Sequence, residues 1–184
     1  MTRALLSVVL VALGWPAGAA WAENEQALSV GLGYATFSVP GPAVENMAPP
    51  AVSPDWGGVV SATYERMIGS DVGLRAEVAG SLFRGGNTMK QSPGSYALLG
   101  DVGVVLRFDI LHVVPYAFGG IGAVTASGGP IDNGRDFVLV VGGGADWLRG
   151  RDRSYGVEIR LASFAGDMTV FTVGFRGTHR WGFF

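Results

Sequence analysis

The chain has no cysteine. Disulfides, thiolate metal sites and a thiol-linked lipid anchor are therefore excluded. Lysine is nearly absent: of 13 basic residues only Lys90 is a lysine and the rest are arginine. Charged residues make up 15% of the chain and histidines number two. Without a basic excess, nucleic acid is not expected as a partner. Long apolar runs are missing too. Past the N-terminus no stretch reaches the roughly 18 apolar residues of a spanning helix. Glycine is plentiful at 30 residues, but it lacks the three-residue period of a collagen-like chain.

Residues 1–22 read as a secretory signal peptide. Arg3 supplies the positive start, Leu5 to Leu13 form a short apolar core, Pro16 and Gly18 break it, and Ala20-Trp21-Ala22 has the small-x-small form of a cleavage site. Cleavage is expected after Ala22, leaving 23–184 as one domain. Without Arg3, 12 basic residues face 15 acidic ones, a net charge of −3.

From Ala27 onward the chain divides into eight alternating segments: 27–39, 56–67, 72–83, 96–109, 114–126, 137–148, 155–164 and a last one beginning near Thr169. Successive side chains of a strand point to opposite faces. In the last segment Phe171, Val173, Phe175, Gly177, Trp181 and Phe183 share one face, while Thr172, Gly174, Arg176, Thr178 and Arg180 share the other. In the first, Leu28, Val30, Leu32 and Tyr34 oppose Ser29, Gly31, Gly33 and Ala35. The remaining segments give the same division. Glu65, Glu77, Asp101, Asp146 and Glu158 fall on one wall with Arg75, Arg107, Arg160 and Arg176, mostly separated by Gly, Ala, Ser and Thr.

A wall of balanced charges opposite a wall of Val, Leu, Ile and aromatics fits a closed barrel with lipid outside and charge inside. The connections 40–55 and 84–95 are long and 127–136 is of medium length, whereas the alternate connections are tight. Longer outer loops and short inner turns are the habit of outer-membrane barrels. The expected fold is all-β: an eight-stranded antiparallel up-and-down transmembrane β-barrel.

Two aromatic girdles are expected at the lipid interfaces. Trp56, Phe83, Tyr96, Phe137, Phe164 and Phe171 would form the one near the longer loops. Tyr64, Phe108, Tyr116, Trp147, Tyr155 and Trp181 would form the other. In the final strand, parity makes Phe183 the outward anchor and leaves Phe184 at the rim.

These residues resemble the small eight-stranded outer-membrane barrels, the group of the OmpA transmembrane domain, OmpX and the opacity-type surface proteins. The resemblance lies in Ala62-Thr-Tyr-Glu-Arg66 before a tight turn, Gly73-Leu-Arg-Ala-Glu-Val78, Val114-Pro-Tyr-Ala-Phe-Gly-Gly-Ile-Gly122, Val141-Gly-Gly-Gly-Ala-Asp-Trp147, Val157-Glu-Ile-Arg-Leu161 and the aromatic C-terminus. It implies a Gram-negative outer membrane, insertion by the barrel-assembly machinery and no cofactor. It implies no single activity.

The charged wall is the one chemical constellation. With Ser70 at the hairpin centre, Glu65 faces Arg75, and a salt-bridged plug without an open pore is expected. A narrow pore or a transporter for small solutes or hydrophobic molecules is the alternative. A soluble lipocalin-like barrel and a lipid-modifying enzyme are weaker readings. Enzymes of this barrel size place His and Ser outside near the outer leaflet, whereas His112 and His179 fall at the inner end. Asp132, Asn133 and Asp136 lack the spacing of a calcium loop, so no metal is expected. The Gly119-Gly120 and Gly142-Gly143-Gly144 runs lie within strands and are read as points of curvature rather than phosphate loops. The expected partners are outer-membrane lipid, the assembly machinery and an extracellular ligand at 40–55 or 84–95; a monomer is expected.

Overall fold

The computed structural model describes residues 25–40, 51–85, 94–108, 112–128, 134–164 and 168–182. The signal-peptide reading, most of the two long loops, Asp132, Asn133, Phe183 and Phe184 lie outside the described residues.

Strand β1 (Gln26–Pro40) is followed by β2 (Ala51–Val52), β3 (Trp56–Met67), β4 (Val72–Arg84) and β5 (Ser95–Arg107). Then come β6 (Val113–Ser127), β7 (Gly134–Leu148), β8 (Arg153–Phe164) and β9 (Thr169–Trp181). Apart from β2, each strand pairs antiparallel with its sequence neighbour, and β9 returns to β1 from Gln26↔Trp181 to Ser38↔Thr169. The sheet is therefore a closed barrel of eight long strands, with no free edge along the β1–β9 seam. Loop 40–55 is not wholly irregular, because Val52 and Ala51 pair back onto Val39 and Pro40.

Observed boundaries lie within three residues of those expected. The largest shift is at β7, which begins at Gly134 because Ala126, Thr125 and Val124 of β6 extend the ladder to Gly134, Arg135 and Asp136. The tight turns after β3 and β7 close as expected. Ile68 N donates to Val72 O at 2.9 Å, and Arg149 N donates to Arg153 O at 2.9 Å.

The two walls have the expected orientation. Val30 is 63% exposed and Phe175 70%, whereas Glu65 and Arg75 are almost wholly buried. The outer belt continues through Leu82, Val102, Leu139, Ile159 and Val173. A soluble monomer rarely exposes so continuous an apolar surface.

The interior departs from a uniform salt-bridged wall. Its long-loop half is packed with Phe37, Val59, Phe83, Leu99, Val124, Val138, Val140 and Val170. Phe37 meets Phe83 edge to face at 5.0 Å between ring centroids. The charged half lies toward the short turns. Among the girdle residues whose side chains are described, two belong inside: Phe83 and Tyr116 are both buried. Tyr116 and Phe118 share the inner face of β6 with Val114 and Val124, where alternation sends both rings into the lumen. Trp56, Tyr96, Phe137, Trp147, Tyr155 and Phe108 are outward and exposed as expected.

Candidate functional site: the charged tier of the lumen

The charged tier is assembled from side chains that only barrel closure brings together. Glu65 on β3 and Arg75 on β4 are Cα partners. Their ion pair measures 3.4 Å from Arg75 Nη1 to Glu65 Oε1. Arg75 also donates to Glu77 beside it and reaches across the lumen to Glu158 on β8, with Nη2 to Oε1 at 3.0 Å. Glu65 accepts in addition from Arg107 of β5 and from Arg176 of β9, the latter at 3.2 Å. Arg160 pairs with Glu77.

Arg176 ties the seam together. Its Nε donates to Asp146 Oδ1 at 2.9 Å and its Nη2 to Asp146 Oδ2 at 2.8 Å. This is the fork geometry that suits guanidinium and carboxylate. Arg180 joins Asp146 Oδ2 at 3.1 Å. Glu25, just ahead of β1, accepts from Arg107 at 2.7 Å.

Two aromatic rings complete the tier. The Arg75 guanidinium carbon lies 3.7 Å from the Phe118 ring centroid, and that of Arg176 lies 4.0 Å from the Tyr116 centroid. A cation above a ring face is attracted to its negative quadrupole. The Tyr116 hydroxyl donates to Glu158 Oε2 at 3.1 Å. Glycines on the facing strand make room for these rings. A methyl at Gly142 would stand 2.4 Å from Phe118 Cζ and 2.5 Å from the Ile159 carbonyl oxygen. This is the stronger reason for Gly142 and Gly144, in a run expected only to bend the sheet.

One cross-strand placement is unfavourable. Glu77 and Asp101 are Cα partners across β4 and β5, and like charges so placed repel. Arg75 and Arg160 engage Glu77, while Asp101 Oδ2 has no hydrogen-bond partner among the described residues.

Every member of the expected charged wall lies inside. Arg180, on the same face of the last strand by alternation, lies inside with them. Glu25 was missed because it precedes the first alternating segment. Tyr116 was missed because rings near strand ends are assigned to the lipid interface, and Phe118 carries no charge to mark its face. The luminal cavity beside Ser29, Ser61, Thr63, Thr172, Glu158 and Arg160 has about 20 Å³ of room, enough for a water molecule.

Of the other candidates, His112 is exposed in the β5–β6 turn. His179 faces outward at the short-turn rim, stacked on Trp181 at 5.9 Å and 4.0 Å from Asp152. Asp136 is exposed on β7.

No family model matches the sequence, and no curated protein matches it either. Solved structures do. Ail, the attachment invasion locus protein of Yersinia pestis, aligns with a TM-score of 0.57 and 16% identity, over 86% of this chain and 99% of its own. Neisserial surface protein A aligns with a TM-score of 0.57 and 13% identity, over 85% and 97%. The outer-membrane enzyme PagL aligns with a TM-score of 0.52 and 14% identity, over 83% and 98%. The chain has the fold of the small outer-membrane β-barrels, a fold shared by surface proteins and by at least one enzyme.

Proposed function

We propose that the protein is exported by the signal at 1–22 and spans the Gram-negative outer membrane as a closed scaffold. In this reading it acts at the cell surface through its long connections, 40–55 and 84–95. The observation that carries the reading is the inverted distribution of side chains: an exposed apolar belt around a buried ion-pair network. Lipid rewards that belt, whereas water penalises it.

The packed lumen favours a scaffold over a conduit. Passage would have to break the ties of Arg75 and Arg176 to Glu158 and Glu65, and then displace Phe37, Phe83 and Val138 above them. The names of Ail and Neisserial surface protein A favour surface contact. PagL is named an enzyme. Here both histidines sit at the short-turn end, away from the face assigned to the outer leaflet, which favours a non-catalytic role.

Two measurements test the proposal. Protease added to intact cells is expected to cut within 40–55 or 84–95 and to spare the turn 149–152. Purified protein in planar bilayers is expected to give no steady conductance. Steady wild-type conductance would defeat the closed-scaffold reading, and external cleavage at 149–152 alone would reverse the orientation.

A further inference from the structure

The turn between β7 and β8 reads Arg149-Gly-Arg-Asp-Arg153, three arginines against one acid in a chain whose overall charge is −2. Arg149 and Arg153 are exposed. Asp152 offsets them only weakly. Its 3.4 Å contact with Arg153 lies between side chains that are 53% and 72% exposed, and such pairs contribute little. The tight turn between β3 and β4 shows the contrast: its charged member is Asp71.

The outward neighbours of these arginines are ordered along the strands. Ser154 points into the barrel, so Arg153 and Tyr155 point out. Arg153 is the Cα partner of His179, whose ring stacks on Trp181. Tyr155 pairs with Trp147 one step nearer the apolar belt. Moving from the belt toward the turn, the surface changes from aliphatic to Trp147 and Tyr155, and then to Arg153 and Arg149. A phospholipid presents the same order: acyl chains, glycerol and ester groups, then phosphate. Two residues along a strand cover about 7 Å, which suits the step from ring level to phosphate level.

We infer that this corner, formed by β7, β8 and β9, binds the phosphodiester headgroup of an anionic phospholipid in the leaflet facing the short turns. The inference rests on the membrane-spanning reading. Arginine suits the task because its planar fork engages two phosphate oxygens at once. A zwitterionic headgroup brings its own ammonium, which competes for the phosphate and lowers the local gain. The occupant is therefore an anionic lipid in preference to a zwitterionic one.

The test uses purified protein inserted in phosphatidylcholine vesicles, with brominated phosphatidylglycerol or brominated phosphatidylcholine as a quencher of tryptophan fluorescence. Trp147 and Trp181 lie at the proposed site. The wild type is expected to prefer phosphatidylglycerol about five-fold or more at low salt, given the attraction of one surface arginine for anionic lipid. The preference is expected to fall toward unity in Arg149→Gln/Arg153→Gln and in high salt, and to persist in Arg84→Gln at the opposite rim. Equal quenching by the two lipids in the wild type overturns the proposal, as does a preference that survives the double substitution. Loss of the preference to millimolar inorganic phosphate assigns the corner to a free anion and overturns the lipid. Failure to insert, seen as the absence of a heat-shifted gel band, defeats the membrane reading and the lipid site with it. Insertion without lipid preference defeats the site alone.

Discussion

Arg176 grips Asp146 with two parallel hydrogen bonds of 2.9 and 2.8 Å, joining β9 to β7 across the intervening β8. The same guanidinium reaches Glu65 and Glu158, so one side chain serves three carboxylates from three strands. Breaking such a buried group leaves an uncompensated charge. Asp146→Ala and Arg176→Ala are each expected to lower unfolding free energy by about 3–5 kcal/mol. The double variant should cost clearly less than the sum. Urea titration of the barrel refolded in vesicles reads both effects; strict additivity would mean that the pair is not coupled.

Asp101 and Glu77 make the opposite case. The two residues are Cα partners across one rung, and among the described residues arginine ion pairs reach Glu77 but not Asp101. Asp101→Asn is expected to leave stability unchanged or raise it by up to about 1 kcal/mol by removing the repulsion. Glu77→Gln should destabilise by several times that amount, because Arg75 and Arg160 lose a partner. Equal losses in the same titration would place Asp101 in an ion pair of its own.

Gly142 lies under the Phe118 ring. A methyl there must push the ring or the sheet, and overpacking of this kind costs about 1–3 kcal/mol. Phe118→Leu in the Gly142→Ala background should recover only part of the loss, since the Ile159 carbonyl oxygen remains 2.5 Å away. Full recovery would show that the ring was the sole obstacle.

The outer belt has its own signature. Leu32, 65% exposed near the middle of β1, faces the centre of the proposed bilayer. Leu32→Arg is expected to cost about 2–4 kcal/mol in vesicles, against about 0–1 for Trp56→Arg at the rim. A neutral Leu32→Arg would mean that water, and not lipid, covers this belt.

The fold was legible because the alternation is clean wherever charge marks one face. Glu65, Arg75, Arg107, Glu158 and Arg176 each announce the lumen by parity alone. Legibility fails where both faces are apolar. Val138-Leu139-Val140-Val141 carries no period-two signal of its own, and the burial of Val138 and Val140 follows only from their parity with Asp146 farther along the strand. Phe83 and Tyr116 were assigned to the girdles because rings near strand ends favour interfaces. In the barrel, parity outranks that preference, since a single outward turn of either residue would reverse every neighbour on its strand. The ion pairs across the lumen, such as Arg75 with Glu158, join residues on strands that are not neighbours, and nothing local in the chain encodes them.

Cell fractionation with a gel-shift test bears most directly on the central claim that the apolar belt faces lipid. The mature chain should sediment with outer membranes, resist extraction by salt and alkali, and migrate differently on gels before and after boiling. Recovery of the folded protein from periplasm or medium, soluble without detergent, would contradict it.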